Sequence, residues 1–208
     1  SVDGQRLALR REKLEEAPGK DFSFVVPGAA LSEVRGICSD SEETVTVTTG
    51  SRHILFQVGS TLMVTRRLEG EFLNYRQSIS WKSNISFTAA VRSVITSINR
   101  VALILQENTK NPLRCIVGEN ILYLSSVTPT GDASDQCPIT GKGEDLHIGF
   151  NHRFMLDALK AVPTETARFL MGTPSTPCII VPEDQAEGEE DYLFMVLPVR
   201  MSASWDKR

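Results

Sequence analysis

The residues best suited to chemistry lie near the C-terminal end. The run Met195-Val196-Leu197-Pro198-Val199-Arg200-Met201 is apolar with a thioether near each end. Flexible thioethers re-pack around varied apolar groups, so the run reads as one wall of a groove for an extended peptide. Pro198 removes one ladder donor, which predicts an edge or terminal strand rather than a central one. Nucleophilic and metal chemistry find no comparable constellation. The patterns GxSxG, GxGxxG, HExxH and the P-loop are all missing. His53, His147 and His152 stand apart, in a hairpin, beside a strand and at a helix start. The acidic run Glu183, Asp184, Glu187, Glu189, Glu190 and Asp191, with Gly188 inside it, falls between two strands and reads as a solvated hairpin loop. Cys38, Cys115, Cys137 and Cys178 are scattered and form no CxxC pair, so they read as free and mostly buried thiols. No catalytic residue, metal or cofactor is expected.

A groove needs elements to hold it. The chain has 208 residues, 41% hydrophobic and 23% charged, which is the mixture of a globular protein able to bury a core. That length suits one large domain or two small ones. No apolar run approaches the roughly 20 residues of a membrane span, and no secretory signal opens the chain. A cytoplasmic location and no membrane partner are the expectation. The net charge of −4 is unlike that of a simple basic nucleic-acid binder.

Helical spacing appears in three places. The clearest runs from Thr88 to Gln106, with Val91, Val94, Ile95, Ile98, Val101, Ala102 and Leu105 as its stripe and Asn84 or Ser86 as its cap. A shorter stripe of Leu31, Val34, Ile37 and Cys38 follows Pro27; a third, Met155, Leu156, Leu159 and Val162, begins at Asn151 and stops at Pro163. Charge is unevenly placed on these segments. The first two carry Arg92 with Arg100, and Glu33 with Arg35; the third carries Arg153, Asp157 and Lys160. The helices therefore total +3 and the rest of the chain −7, which fits loose attraction of phosphates to the helical face. On the long helix Leu103 and Ile104 lie off the core stripe and read as a partner surface.

Short β-rich runs fill the remainder: Thr44 to Thr48, Ile54 to Val58, Leu62 to Arg66, Leu113 to Val117, Ile121 to Ser125, Cys178 to Val181 and Tyr192 to Val199. Gly118-Glu119-Asn120 reads as a turn between two of them. The layout around Phe24-Val25-Val26-Pro27 recurs about 125 residues later around Ile148-Gly149-Phe150-Asn151, and Ile85 to Ser126 resembles a third copy. The fold class is α+β: repeated βαβββ modules, with antiparallel sheets outside and helices on one face.

These segments resemble the bacterial DNA polymerase III beta subunit, the sliding-clamp family. The residues that carry the resemblance are Asp3-Gly4-Gln5-Arg6-Leu7-Ala8, Leu68-Glu69-Gly70-Glu71-Phe72-Leu73-Asn74-Tyr75, Ile148-Gly149-Phe150-Asn151, Leu156-Asp157-Ala158-Leu159 and Leu197-Pro198-Val199-Arg200-Met201. The resemblance implies part of a middle domain over residues 1–77, a complete third domain over 78–201 and a polar tail over 202–208. It implies a non-enzymatic processivity factor that encircles duplex DNA without reading sequence. The DNA-facing residues would be Arg35, Arg92, Arg100, Arg153 and Lys160. Leu103 and Ile104 would meet the other half of a homodimeric ring, which this chain alone is not expected to close.

The same resemblance implies a pocket for linear motifs of the DNA polymerase III alpha subunit, the clamp loader and repair proteins. Carried over by position, it comprises Val2, Gly4, Gln5, Arg6, Leu7, Leu73, Ser78, Met195, Val196, Leu197, Pro198, Val199, Arg200 and Met201. Leu73 stands where the family commonly has proline, Gln5 where histidine is frequent and Ser78 where an apolar residue is usual. Two other readings of the chain are a clamp-like adaptor that binds polymerase peptides without encircling DNA, and a small cytoplasmic hydrolase.

Overall fold

In a computed structural model the described residues form ten strands and three α-helices. They are β1 (Arg6–Arg10), α1 (Gly28–Ile37), β2 (Val45–Thr49), β3 (His53–Val58), β4 (Thr61–Arg66), β5 (Ile85–Ala90), α2 (Val91–Ala102), β6 (Leu113–Thr128), β7 (Gly131–Phe150), α3 (His152–Ala161), β8 (Thr166–Met171), β9 (Cys178–Pro182) and β10 (Tyr192–Val196). The structure describes residues 1–14, 19, 21–38, 43–77, 79, 83–105, 111–186, 189 and 191–201. The chain divides into two compact units, Leu14–Ser78 and a larger one made of Ser1–Lys13 with Ile79–Arg208.

In the larger unit one antiparallel sheet runs in the order β1-β10-β9-β8-β5-β7-β6. α2 packs on β5, β6 and β7, α3 packs on β10, and the two helices touch each other. Both helices thus cover the same sheet face, and the core lies between them and the strands. Met155, Leu156 and Leu159 are buried along α3, as their spacing predicts, and Ala158 is buried with them; Val162, the last of the expected stripe, lies past the helix end and is half-buried. The Asn151 side chain accepts a hydrogen bond from the Arg153 amide at 3.0 Å, satisfying one of the donors that a helix start leaves open. Asn151→Ala is expected to lower stability by about 1 kcal/mol in urea unfolding.

The smaller unit holds a three-stranded antiparallel sheet, β2-β3-β4, with α1 beside it and a bridge between Val25 and Leu68. Its layout of short extended segment, helix and three strands repeats that of β7, α3, β8, β9 and β10, so the module read from the sequence is present.

Several boundaries differ from expectation. Residues 85–90 form a strand, because their backbone pairs with β8 from Ile85↔Met171 to Ala90↔Thr166 and their burial alternates. The long helix therefore starts at Val91, not Thr88, and neither Asn84 nor Ser86 caps it; extended Ala90 precedes it, and the Val91 amide donates to the Glu165 carbonyl at 2.8 Å. Leu105 lies beyond the helix end. On α1 the buried residue is Ala30, while Leu31 is 49% exposed. Residues 113–128 form one strand instead of two, since β7 pairs along its length; the expected turn is a pair of irregularities around Glu119, with Asn120 at a φ of 56°. Pro198 does not mark an edge: β10 ends at Val196 and lies inside the sheet, with β1 outermost. The acidic run does fall in the β9–β10 connection, of which Glu187, Gly188 and Glu190 are outside the described residues. Cys115, Cys137 and Cys178 are free and buried, and Cys38 is half-buried. Burial pushes the Cys115 thiol up to about 12.

Candidate peptide-binding cleft

The first residues fold back on themselves. The Asp3 carboxylate accepts from the amides of Gln5 (2.9 Å) and Arg6 (3.0 Å), and the Asp3 amide donates to the Arg6 carbonyl at 3.1 Å. This side-chain turn is the arrangement aspartate favours, and it delivers residues 6–10 into the sheet as β1. There Arg6 pairs with Val196, Leu7 with Met195 and Ala8 with Phe194. One more rung follows beyond the strands, where the Leu197 amide donates to the Gln5 carbonyl at 2.9 Å.

Residues opposite each other in such a ladder share a face, so Arg6, Ala8, Phe194 and Val196 turn toward α3. Between them and α3 opens a cleft of about 300 Å³. Its helix wall is formed by Phe154, Asp157, Ala158 and Ala161, which share a face at spacings of three and four. Ser1, Val2, Asp3, Leu7 and Met195 complete the lining. Mostly apolar walls with a few fixed polar groups are the usual form of a binding cleft.

Arg6 is the polar centre. Its Nε lies 2.8 Å from Asp3 Oδ2, its Nη1 lies 2.5 Å from Asp157 Oδ2, and its guanidinium carbon stands 4.3 Å from the centre of the Phe154 ring. The hydrogen bond to Asp157, then that to Asp3, raises the Arg6 guanidinium above its ordinary value. Partial burial alone would raise Asp3, but the Gln5 amide and Arg6 outweigh it and hold the carboxyl below its usual range.

Of the residues expected in the pocket, Val2, Arg6, Leu7, Met195 and Val196 line the cleft. Gln5 contributes its carbonyl to the ladder, and Gly4 lies in the turn before β1. Leu197 is 37% exposed, Pro198 and Val199 are half-buried, and Arg200 is exposed. The Val199 amide donates to the Gly149 carbonyl at 2.8 Å, and Met201 packs so closely on Gly149 that an added Cβ would stand 2.9 Å from its Cγ. Leu73 belongs to the smaller unit and is 54% exposed. Ser78 and the tail 202–208 lie outside the described residues. Phe154, Asp157, Ala158 and Ala161 join the cleft from outside the expected set. Their signal is a second stripe on the third helix, headed by an aromatic and otherwise small, beside the core stripe.

The basic residues fall into different surroundings. Arg92, Arg153 and Lys160 are exposed on α2 and α3, and Arg35 is exposed on α1 of the smaller unit. Arg100 is held by Asp135 of β7, at 2.7 Å through Nε and 2.6 Å through Nη2, so its charge is locally balanced. Burial acts to raise Asp135, yet the Gln136 amide and Arg100 bring it below its usual value. Leu103 is 85% exposed just past α2, and Ile104 is half-buried. Leu103→Ser should change the stability measured by urea unfolding by no more than about 0.5 kcal/mol, because almost no apolar area is lost from the core.

Two family models divide the chain. The C-terminal domain of the DNA polymerase III beta subunit matches residues 79–197, and the central domain of the same protein matches residues 1–74. The chain belongs to the DNA polymerase III beta subunit family. Among its relatives, the beta sliding clamp of Staphylococcus aureus strain N315 is 28% identical over 202 residues, covering 96% of this chain and 52% of its own length. Solved beta-subunit structures superpose closely. That of Eubacterium rectale gives a TM-score of 0.86 at 28% identity, covering 96% of this chain and 53% of that one. The Bacillus subtilis sliding clamp gives 0.88 at 25%, covering 97% and 53%. The chain thus spans about half the length of the beta subunits it matches, and its antiparallel sheets and helices are the sliding-clamp fold.

Proposed function

We propose that this chain acts as the C-terminal portion of a sliding clamp, a non-enzymatic processivity factor of the cytoplasm. In this reading residues 1–77 belong to the middle clamp domain and residues 78–201 to the third. The cleft between β1, β10 and α3 receives short linear motifs of the DNA polymerase III alpha subunit and the clamp loader. The observation that carries the reading is this cleft: an apolar floor, a helix wall and one fixed guanidinium, all formed by segments matched to the beta-subunit family. Titration of the protein with a labelled alpha-subunit motif peptide, read by fluorescence polarisation, should give saturable binding. Absence of binding would overturn the assignment of the cleft.

The same proposal has α2 and α3 face duplex DNA within a ring completed by further clamp domains and a second protomer, with Leu103 and Ile104 at the junction between protomers. Exposed Arg92, Arg153 and Lys160 then meet phosphates, with Arg35 contributed by α1, while Arg100 is already engaged by Asp135. With so few phosphates neutralised, the salt dependence of duplex binding should be shallow, with a log–log slope no steeper than about −4. A much steeper slope would place a larger basic surface elsewhere. Native mass measurement with supplied first clamp domain tests ring closure directly.

A further inference from the structure

Arg6 faces two carboxylates, and they are held very differently. Asp3 is fixed by its own turn: one oxygen takes the Gln5 and Arg6 amides and the other takes Arg6 Nε. Asp157 stands at the rim on α3 with its side chain 58% exposed, and it meets Arg6 through Oδ2 at the outward Nη1. Arg6 thus stands as one cation between two carboxylates, while the Ser1 ammonium, also in the lining, donates to the Ala8 carbonyl at 2.8 Å. One N–H of the outward Nη1, which a ligand carboxylate would otherwise use, is already taken by Asp157.

Resting on the reading of this cleft as a peptide site, we infer that Asp157 acts as a built-in competitor for Arg6 and makes the cleft select against acidic peptides. A neutral peptide leaves the Arg6–Asp157 pair in place and lies along Ala8, Phe154 and Val196. A peptide that brings a carboxylate to Arg6 must displace Asp157 or share the guanidinium with it, and either way the two anions lie side by side at the rim. Like charges at that separation disfavour binding, and the penalty is reduced by salt. Asp157 is thus a specificity-determining residue that works through Arg6.

The test uses one alpha-subunit motif peptide in a set of versions, with glutamine replaced by glutamate at one position at a time. Each version is titrated against the wild-type chain and Asp157→Asn by fluorescence polarisation. At the most sensitive position the wild type should favour glutamine over glutamate by about two- to fivefold, the ratio expected of one exposed charge contact. In D157N that ratio should fall to about one or reverse, and raising salt should lower it in the wild type. An unchanged ratio in D157N would overturn the inference while leaving the cleft assignment intact. Failure of every version to bind the wild type would instead remove the cleft assignment, and this inference with it. A uniform loss of affinity in D157N at constant ratio would make Asp157 structural and would also overturn the inference.

Discussion

Phe169→Ala is expected to destabilise the larger unit by about 3–5 kcal/mol, the usual cost of emptying a fully buried aromatic site. Phe169 sits on β8, in the interior of the seven-stranded sheet, and is 1% exposed. It pairs with Phe87 of β5, and the two rings stack with centroids 4.8 Å apart and planes 6° from parallel. Truncation removes both the apolar transfer contribution and the ring pairing. The flanking strands are tied on both sides and cannot close the space. Since small domains have total stabilities of about 5–15 kcal/mol, the variant should lose a large share of its urea resistance. A shift below about 1 kcal/mol would mean that β5 and β8 do not form this core.

Ala161→Trp should weaken binding of the alpha-subunit peptide by at least about tenfold, or about 1.4 kcal/mol. Ala161 is the last residue of α3, exposed, and part of the cleft wall. An indole at that position has no core to disturb, and its lowest-cost placement is over the apolar floor that a ligand would cover. The urea midpoint should stay near the wild-type value, which separates blockage from unfolding. Unchanged affinity with an unchanged midpoint would show that the peptide does not enter between α3 and β10.

The third helix is readable from its residues alone. Asn151 caps it, the apolar spacing from Met155 to Leu159 matches its buried face, and Pro163 follows its end. The start of the second helix is not. Phe87, Ala89 and Val91 fit both a two-residue and a helical period, and only the pairing of residues 85–90 with β8 decides for strand. β7 is hidden for a related reason. Its first half, Gly131 to Lys142, is rich in glycine and polar residues, and it is extended because β6 pairs along it, with β5 joining on the other side only at Thr140 to Lys142.

The cleft divides in the same way. Its β1 side is visible through the resemblance of Asp3 to Leu7 to a clamp segment, and its β10 side through Met195 and Val196, which open the apolar C-terminal run. The helix wall is not, because Phe154 and Asp157 lie outside the core stripe and gain their role only when α3 docks on β10. Charge is least legible of all. Summing residues on helices counts Arg100 as available and Asp157 as an offset, whereas partners 35 and 151 residues away in sequence neutralise them.

Hydrogen exchange measured with and without saturating alpha-subunit peptide tests the central claim most directly. Binding in the cleft should slow exchange in three separate stretches: residues 2–8, residues 154–161 and residues 193–197. Protection confined to other strands, such as β6 or β2, or no protection at all under conditions where the peptide binds, would contradict the assignment.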